Sequence, residues 1–218
     1  MDYTEMKARL RAARVIPVVT VATEELGSET VDRLVEAGAG LIEIVLRSQA
    51  AMKVLATTRK RHPNITLAAG TVLDPALYDA AVAIGADFAV SPGFDAPVAE
   101  HARKGPMPLI PGAFTASEVM TANRLGYTML KFYPADPTTS PLVLADYANV
   151  FPKTLFMPSG PMFPSILPAY AALPNVLCFG GNWLFADGAR LRTVEEMAEL
   201  LTSGAEAFDP ALRPCGRI

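Results

Sequence analysis

Eight short apolar runs, rich in β-branched residues, recur along this chain: Val15–Val21, Leu41–Leu46, Thr66–Ala69, Phe88–Val90, Leu109–Ile110, Met129–Phe132, Thr154–Met157 and Val176–Phe179. Most of the gaps between them hold a segment with helical periodicity. In Thr30–Ala37, Val31, Leu34 and Val35 fall on one face while Asp32, Arg33 and Glu36 fall on the other. Pro75–Ile84, Ala96–Arg103 and Ser117–Leu125 read the same way, and helices open and close the chain at Thr4–Ala13 and Thr193–Ala207. Strand–helix alternation of this kind predicts a parallel sheet covered by helices. Eight units in 218 residues fit an α/β fold of the (β/α)8 TIM-barrel type with an extra N-terminal helix. A doubly wound open sheet is the competing architecture, but the turn after the first run, Ala-Thr-Glu-Glu-Leu-Gly-Ser-Glu, holds one glycine and no G-x-G-x-x-G.

No Ser/Gly-rich linker or charge block divides the chain, so residues 1–218 are expected to form a single domain. Hydrophobic residues make up 51% of it, and no apolar stretch approaches the roughly 18 residues of a membrane span. The apolar excess therefore points to a fold buried on several sides and to a subunit interface. A net charge of -3 without a large basic cluster gives no footprint for nucleic acid. The one basic stretch, Arg59-Lys60-Arg61-His62, reads as a solvated helix end whose cations suit the dipole. Cys178 and Cys215 show no motif spacing, and reduced thiols in a cytoplasmic protein are expected. His62 and His101, the only histidines, are expected on the surface, and no metal site is foreseen.

Lys131 lies within Tyr-Thr-Met-Leu-Lys-Phe-Tyr-Pro, between Leu130 and Phe132. An ammonium buried in such a strand loses hydration, which favours the neutral amine that attacks ketones. Alone, it reads rather as a lysine at a strand end that snorkels to water, and its company changes that reading. The second run, Leu-Ile-Glu-Ile-Val-Leu-Arg, puts Glu43, Val45 and Arg47 on one face and Ile42, Ile44 and Leu46 on the other. The aliphatic face suits packing on helices, so Glu43 points into the barrel, with Arg47 near its mouth. A buried carboxylate without a partner is costly, and a closed barrel has no wet edge strand to excuse it.

The remaining strand ends carry small residues. They read Ala-Ala-Gly-Thr-Val-Leu with Thr71, Ser-Pro-Gly with Pro92, and Ile-Pro-Gly at Ile110–Gly112. Each is either a place where substrate nears the backbone or an ordinary βα turn. The last two strands end in Pro-Ser-Gly-Pro, with Ser159, Gly160 and Pro161, and Phe-Gly-Gly-Asn-Trp, with Gly180, Gly181 and Asn182. Those loops are the usual phosphate site of a barrel. From Thr154 to Ala186 there is no Lys, Arg, Asp or Glu, so an anion there would rest on main-chain donors.

Taken together, Val15–Val18, Ile42–Arg47, Ala69–Leu73, Phe88–Gly93, Leu109–Gly112, Lys131–Ala135 and Gly180–Trp183 resemble, in order, the class I aldolase family that cleaves 2-keto-3-deoxy-6-phosphogluconate (KDPG), with its related 4-hydroxy-2-oxoglutarate activity. The resemblance implies a homotrimeric, cofactor-free lyase acting on a small 2-keto acid. It makes Lys131 the Schiff-base lysine and Glu43 the catalytic acid–base. Arg47 and Thr71 would bind the carboxylate, and Pro92, Ser159, Gly160, Gly180, Gly181 and Asn182 would complete the substrate site. The chain departs from the family at the phosphate end, where Pro161 removes an N–H, Asn182 replaces a serine and Phe114 adds bulk; Tyr133 also replaces a phenylalanine beside the lysine. These changes suggest aldol chemistry retained with altered distal specificity. Competing readings are a phosphate-binding barrel of another reaction class, a metal-dependent aldolase and a sugar-acid binding barrel without turnover.

Overall fold

The computed structural model describes residues 1–187 and 190–209. Its first helix, α1 (Tyr3–Ala13), starts where the Asp2 carboxylate accepts from the Glu5 N–H at 2.7 Å. Strand and helix then alternate: β1 (Val15–Thr20), α2 (Glu24–Glu36), β2 (Leu41–Val45), α3 (Gln49–Arg61), β3 (Thr66–Gly70), α4 (Pro75–Ile84), β4 (Phe88–Val90) and α5 (Ala96–Lys104). After these come β5 (Leu109–Ile110), α6 (Ala116–Arg124), β6 (Met129–Phe132), α7 (Ser140–Val150), β7 (Leu155–Pro158), α8 (Leu167–Ala171) and β8 (Phe179–Gly181). A two-stranded hairpin, β9 (Ala186–Asp187) and β10 (Arg190–Leu191), precedes α9 (Val194–Glu206).

The parallel strands close into a barrel. Six of them run β5-β4-β3-β2-β1-β8, and β6 pairs with β7. The two groups join at Gly112–Lys131, where the Lys131 N–H donates to the Pro111 carbonyl (2.9 Å) and the Ala113 N–H donates to the Lys131 carbonyl (2.8 Å). Bridges Ser159–Gly180 and Phe156–Val176 join β7 to the segment of β8. Side-chain parity sorts two cores. Ile42, Ile44, Leu67, Ala69, Leu130 and Phe132 pack outward against the helices, whereas Ile16, Leu41, Ala68, Phe88, Ile110 and Met129 fill the interior. Met6 and Leu10 of α1 belong to that interior cluster and plug the end of the barrel where the strands begin. With that end sealed, chemistry is left to the ends where the strands finish.

Several expectations shift. The ladder of the eighth strand with β1 starts three residues later than Val176, at Phe179, Gly180 and Gly181, while Val176 itself bridges Phe156 of β7. Cys178 is therefore just ahead of β8, as a free, buried thiol whose pKa burial pushes up; Cys215 lies outside the described residues. The basic stretch is only partly a solvated helix end. Arg59 is mostly buried, donates to the carbonyls of Gly85, Pro63 and Ile65, and pairs with Asp87, tying α3 to the β3 and β4 region. Of the histidines, His62 is largely buried and meets Asp32 at 2.7 Å, whereas His101 stays at the surface, 2.7 Å from exposed Asp79.

Candidate active site

On β6, the parity that sends Leu130 and Phe132 outward turns Lys131 into the barrel, where it is 5% exposed. On β2, the same parity turns Glu43 inward at 1% exposure, between Val18 of β1 and Ala68 of β3. β2 and β6 stand on opposite sides of an eight-stranded barrel, and their side chains meet across it: Lys131 Nζ lies 3.1 Å from Glu43 Oε1. Each charge answers the other's burial, which neither could bear alone. Glu43 Oε2 is buried without any hydrogen-bond partner among the described residues. That leaves a lone pair for a substrate hydroxyl or water.

Small residues make room for this contact. A Cβ placed on Gly70, the last residue of β3, would overlap Glu43 Oε1 and lie 2.8 Å and 2.9 Å from its Cγ and Cδ. Glycine at 70 is thus the condition for Glu43 to lie as it does. Gly112 is required by close approach too, since a Cβ there would run into the backbone of Pro92 and Gly93.

Above the pair opens a cavity of about 340 Å³ at the strand ends. Lys131 forms part of its wall, with Arg47, Thr71, Pro92, Ser159, Gly160, Gly181 and Asn182 among the other lining residues. Eight of the residues singled out in the sequence are therefore brought together in one wall. Glu43 reaches the site through Lys131 rather than as part of that wall, and Gly180 is buried in β8 beside Ser159. Arg47 is exposed at the rim with no side-chain hydrogen bond or ion pair among the described residues, so its guanidinium is available to an anion. Thr71 holds φ +59, unusual for a β-branched residue and worth about 1–3 kcal/mol of strain. Such outliers persist where surroundings impose them, and here the residue lines the cavity.

Tyr133 also lines the cavity, its ring centroid 5.6 Å from Lys131 Nζ. The loop beyond it is fixed by Asp136, whose carboxylate accepts from the N–H and hydroxyl groups of Thr138 and Thr139 and from the Ser140 hydroxyl. The same bonds, Thr139 foremost, hold that carboxyl well below its usual range. Thr20, at the end of β1, lines the cavity too, although in the sequence it stands as one hydroxyl within an otherwise apolar run, Val15–Val21. Nor does Gly70 stand out in the sequence, although the strand pairing that aligns residues 43 and 68 makes 70 the next position on the same inner face. Among the described residues no group of three or more His, Cys, Asp or Glu converges on a common point.

A closed parallel barrel whose mouth holds an amine–carboxylate pair beneath an arginine-rimmed cavity is the architecture of a lysine-dependent enzyme acting on carbonyl compounds. The chain belongs to the KDPG and KHG aldolase family, whose model matches residues 6–200. It is 36% identical over 174 residues to the 2-dehydro-3-deoxy-phosphogluconate aldolase of Pseudomonas aeruginosa, covering 80% of this chain and 79% of that one. Among solved structures it is similar to the Zymomonas mobilis ZM4 2-keto-3-deoxy-6-phosphogluconate aldolase with 3-phosphoglycerate (TM-score 0.86, 29% identity, 94% and 96% coverage). It is also similar to the Legionella pneumophila KDPG aldolase with pyruvate captured as a covalent carbinolamine (TM-score 0.79, 31% identity, 93% and 95% coverage).

Proposed function

We propose that this protein is a class I aldehyde-lyase that splits a 2-keto-3-deoxy sugar acid of the KDPG type into pyruvate and an aldehyde. The observation that carries the reading is the 3.1 Å cross-barrel contact between Lys131 and Glu43 under a cavity rimmed by Arg47. Glu43 is the acceptor within reach for the ammonium proton, and the freed amine adds to the C2 ketone. Glu43 gives that proton back to the carbinolamine hydroxyl, which leaves as water, so that a protonated imine bonded to Lys131 stands beside a carboxylate again. As Glu43 removes the C4 hydroxyl proton, the C3–C4 electron pair moves into the imine and the aldehyde departs. The enamine takes a proton at C3 from Glu43, and water hydrolyses the resulting imine to free pyruvate and the amine.

Arg47 grips the substrate carboxylate with two parallel hydrogen bonds and Thr71 adds a hydroxyl, which fixes the ketone over Lys131. The loops at Pro92, Ser159, Gly160, Gly180, Gly181 and Asn182 shape the rest of the pocket. Residues 1–218 act as one catalytic unit, and exposed Leu73, Met120, Leu142 and Val150 supply apolar surface for a homotrimer. No helix among the described residues is long and apolar enough to cross a membrane. We place the protein in the cytoplasm, where the buried thiol at Cys178 suits a reducing environment. The test is pyruvate release from a 2-keto-3-deoxy sugar acid, with borohydride added during turnover. The expected result is turnover that borohydride abolishes only when substrate or pyruvate is present. Turnover insensitive to borohydride would refute the Schiff-base route.

A further inference from the structure

We infer that the distal end of this cavity accepts an uncharged, hydroxyl-bearing aldehyde half in preference to a phosphorylated one. The inference rests on the aldolase reading above and narrows its substrate class. A phosphate group at the mouth of a barrel is held by several main-chain N–H groups from the last two strand loops. In the loop after β7 those donors are spent. The Ser159 N–H donates to the Phe132 carbonyl at 3.0 Å, and the Met162 N–H donates to the Gly160 carbonyl at 2.8 Å. Pro161, which lines the cavity, has no N–H at all. Across residues 159–162 that leaves Gly160 as the one N–H not committed within the described protein.

No cation compensates. The segment from Thr154 to Ala186 carries no Lys or Arg, and the cavity's two cationic side chains, Arg47 and Lys131, enter from β2 and β6. In the proposed chemistry the first is occupied by the substrate carboxylate and the second by the covalent bond. A dianion at the far end would lose water and find a single uncommitted N–H after β7, which leaves the main-chain groups after β8 to replace its hydration without a charged partner. Two further polar groups of the cavity wall are neutral. The Tyr133 hydroxyl has no hydrogen-bond partner among the described residues, and the Asn182 amide stands exposed at the rim. A phenol and a carboxamide both donate and accept, which suits hydroxyl groups.

The experiment runs the aldol addition with pyruvate common to all arms, comparing glyceraldehyde with glyceraldehyde 3-phosphate. Borohydride trapping of the pyruvate adduct is measured on the same enzyme. The expected result is a kcat/KM for glyceraldehyde equal to or above that for its phosphate, with the adduct formed. A higher kcat/KM for the phosphorylated aldehyde, with the adduct formed, overturns this inference and leaves the aldolase reading standing. Absence of both adduct and addition defeats the aldolase reading itself, and the inference with it. Pro161→Gly restores an N–H, and the ratio should move toward the phosphorylated aldehyde by about tenfold, the worth of one hydrogen bond to a charged group. An unchanged ratio in a folded variant contradicts the part assigned to Pro161.

Discussion

Gly70→Ala adds one methyl group in the wall of the barrel, and its effect follows from measured contacts. In the present structure the new Cβ would overlap Glu43 Oε1 and stand 2.8 Å from Cγ, tighter than real Cβ contacts allow. Relief requires the glutamate to retreat by roughly 1 Å, since the surrounding strands are close-packed and cannot open. Gly70 itself is in strand geometry, outside the positive-φ set. Alanine should therefore cost the backbone nothing and recover about 0.4–1 kcal/mol of chain entropy. The retreat takes Oε1 out of its present alignment with Lys131, now 3.1 Å away. A displacement of that size at a reacting group costs on the order of 10² in rate. The amine itself remains, so pyruvate should still form its borohydride-trapped adduct, more slowly because the acceptor for the ammonium proton has shifted. The assay pairs kcat for sugar-acid cleavage with adduct yield and a melting curve. The expected outcome is kcat down about 100-fold with the adduct retained, and a lowered melting temperature, because disturbing the buried Glu43–Lys131 pair outweighs the gain in chain entropy. A folded variant with kcat within threefold of the parent would refute the reasoning.

Glu43→Gln keeps shape but removes the proton acceptor, so turnover should fall by on the order of 10²–10⁴, measured as single-turnover cleavage; a loss under tenfold would assign proton transfer elsewhere. Arg47→Lys should raise KM for the keto acid without changing the melting curve, because a lysine cannot reproduce bidentate carboxylate binding; an unchanged KM would remove Arg47 from the site. Glu196 accepts two hydrogen bonds from Arg190 and caps α9, and these, Arg190 first, lower its pKa from 4.5 to about 2. A carboxyl lowered on folding adds stability that is complete above pH 4.5 and lost as pH falls toward 2. The melting difference between parent and Glu196→Gln should accordingly be largest near pH 7 and shrink between pH 4.5 and 2; a gap that widens in acid would reverse the sign.

Much of this was legible because barrels obey parity. Period-two alternation along the second strand is enough to place Glu43 inside and its aliphatic neighbours outside, whereas for Lys131 the sequence shows only an amine within an apolar strand. What sequence could not supply was register. The eighth strand meets β1 through Phe179-Gly180-Gly181, although Val-Leu-Cys-Phe carries the stronger strand composition and touches β7 only at Val176 and Leu177, because pairing partners outweigh propensity. Register also explains Gly70: its importance depends on which side chain leans over it from β2, a fact of pairing rather than composition. Arg59 looked like a helix-end cation, and only the return of β3 and β4 reveals its carbonyl and Asp87 partners. Spending of the N–H groups at 159 and 162 was equally hidden, whereas the missing donor at Pro161 could be read at once.

One covalent bond decides the rest. Incubating the protein with pyruvate and borohydride, then mapping the adduct by peptide mass spectrometry, asks whether the amine held against Glu43 meets a ketone. Reduced pyruvate on the peptide carrying Lys131, absent in Lys131→Met, is the result expected. Label on some other lysine, or none at all, would contradict the assignment of that side chain as the nucleophile.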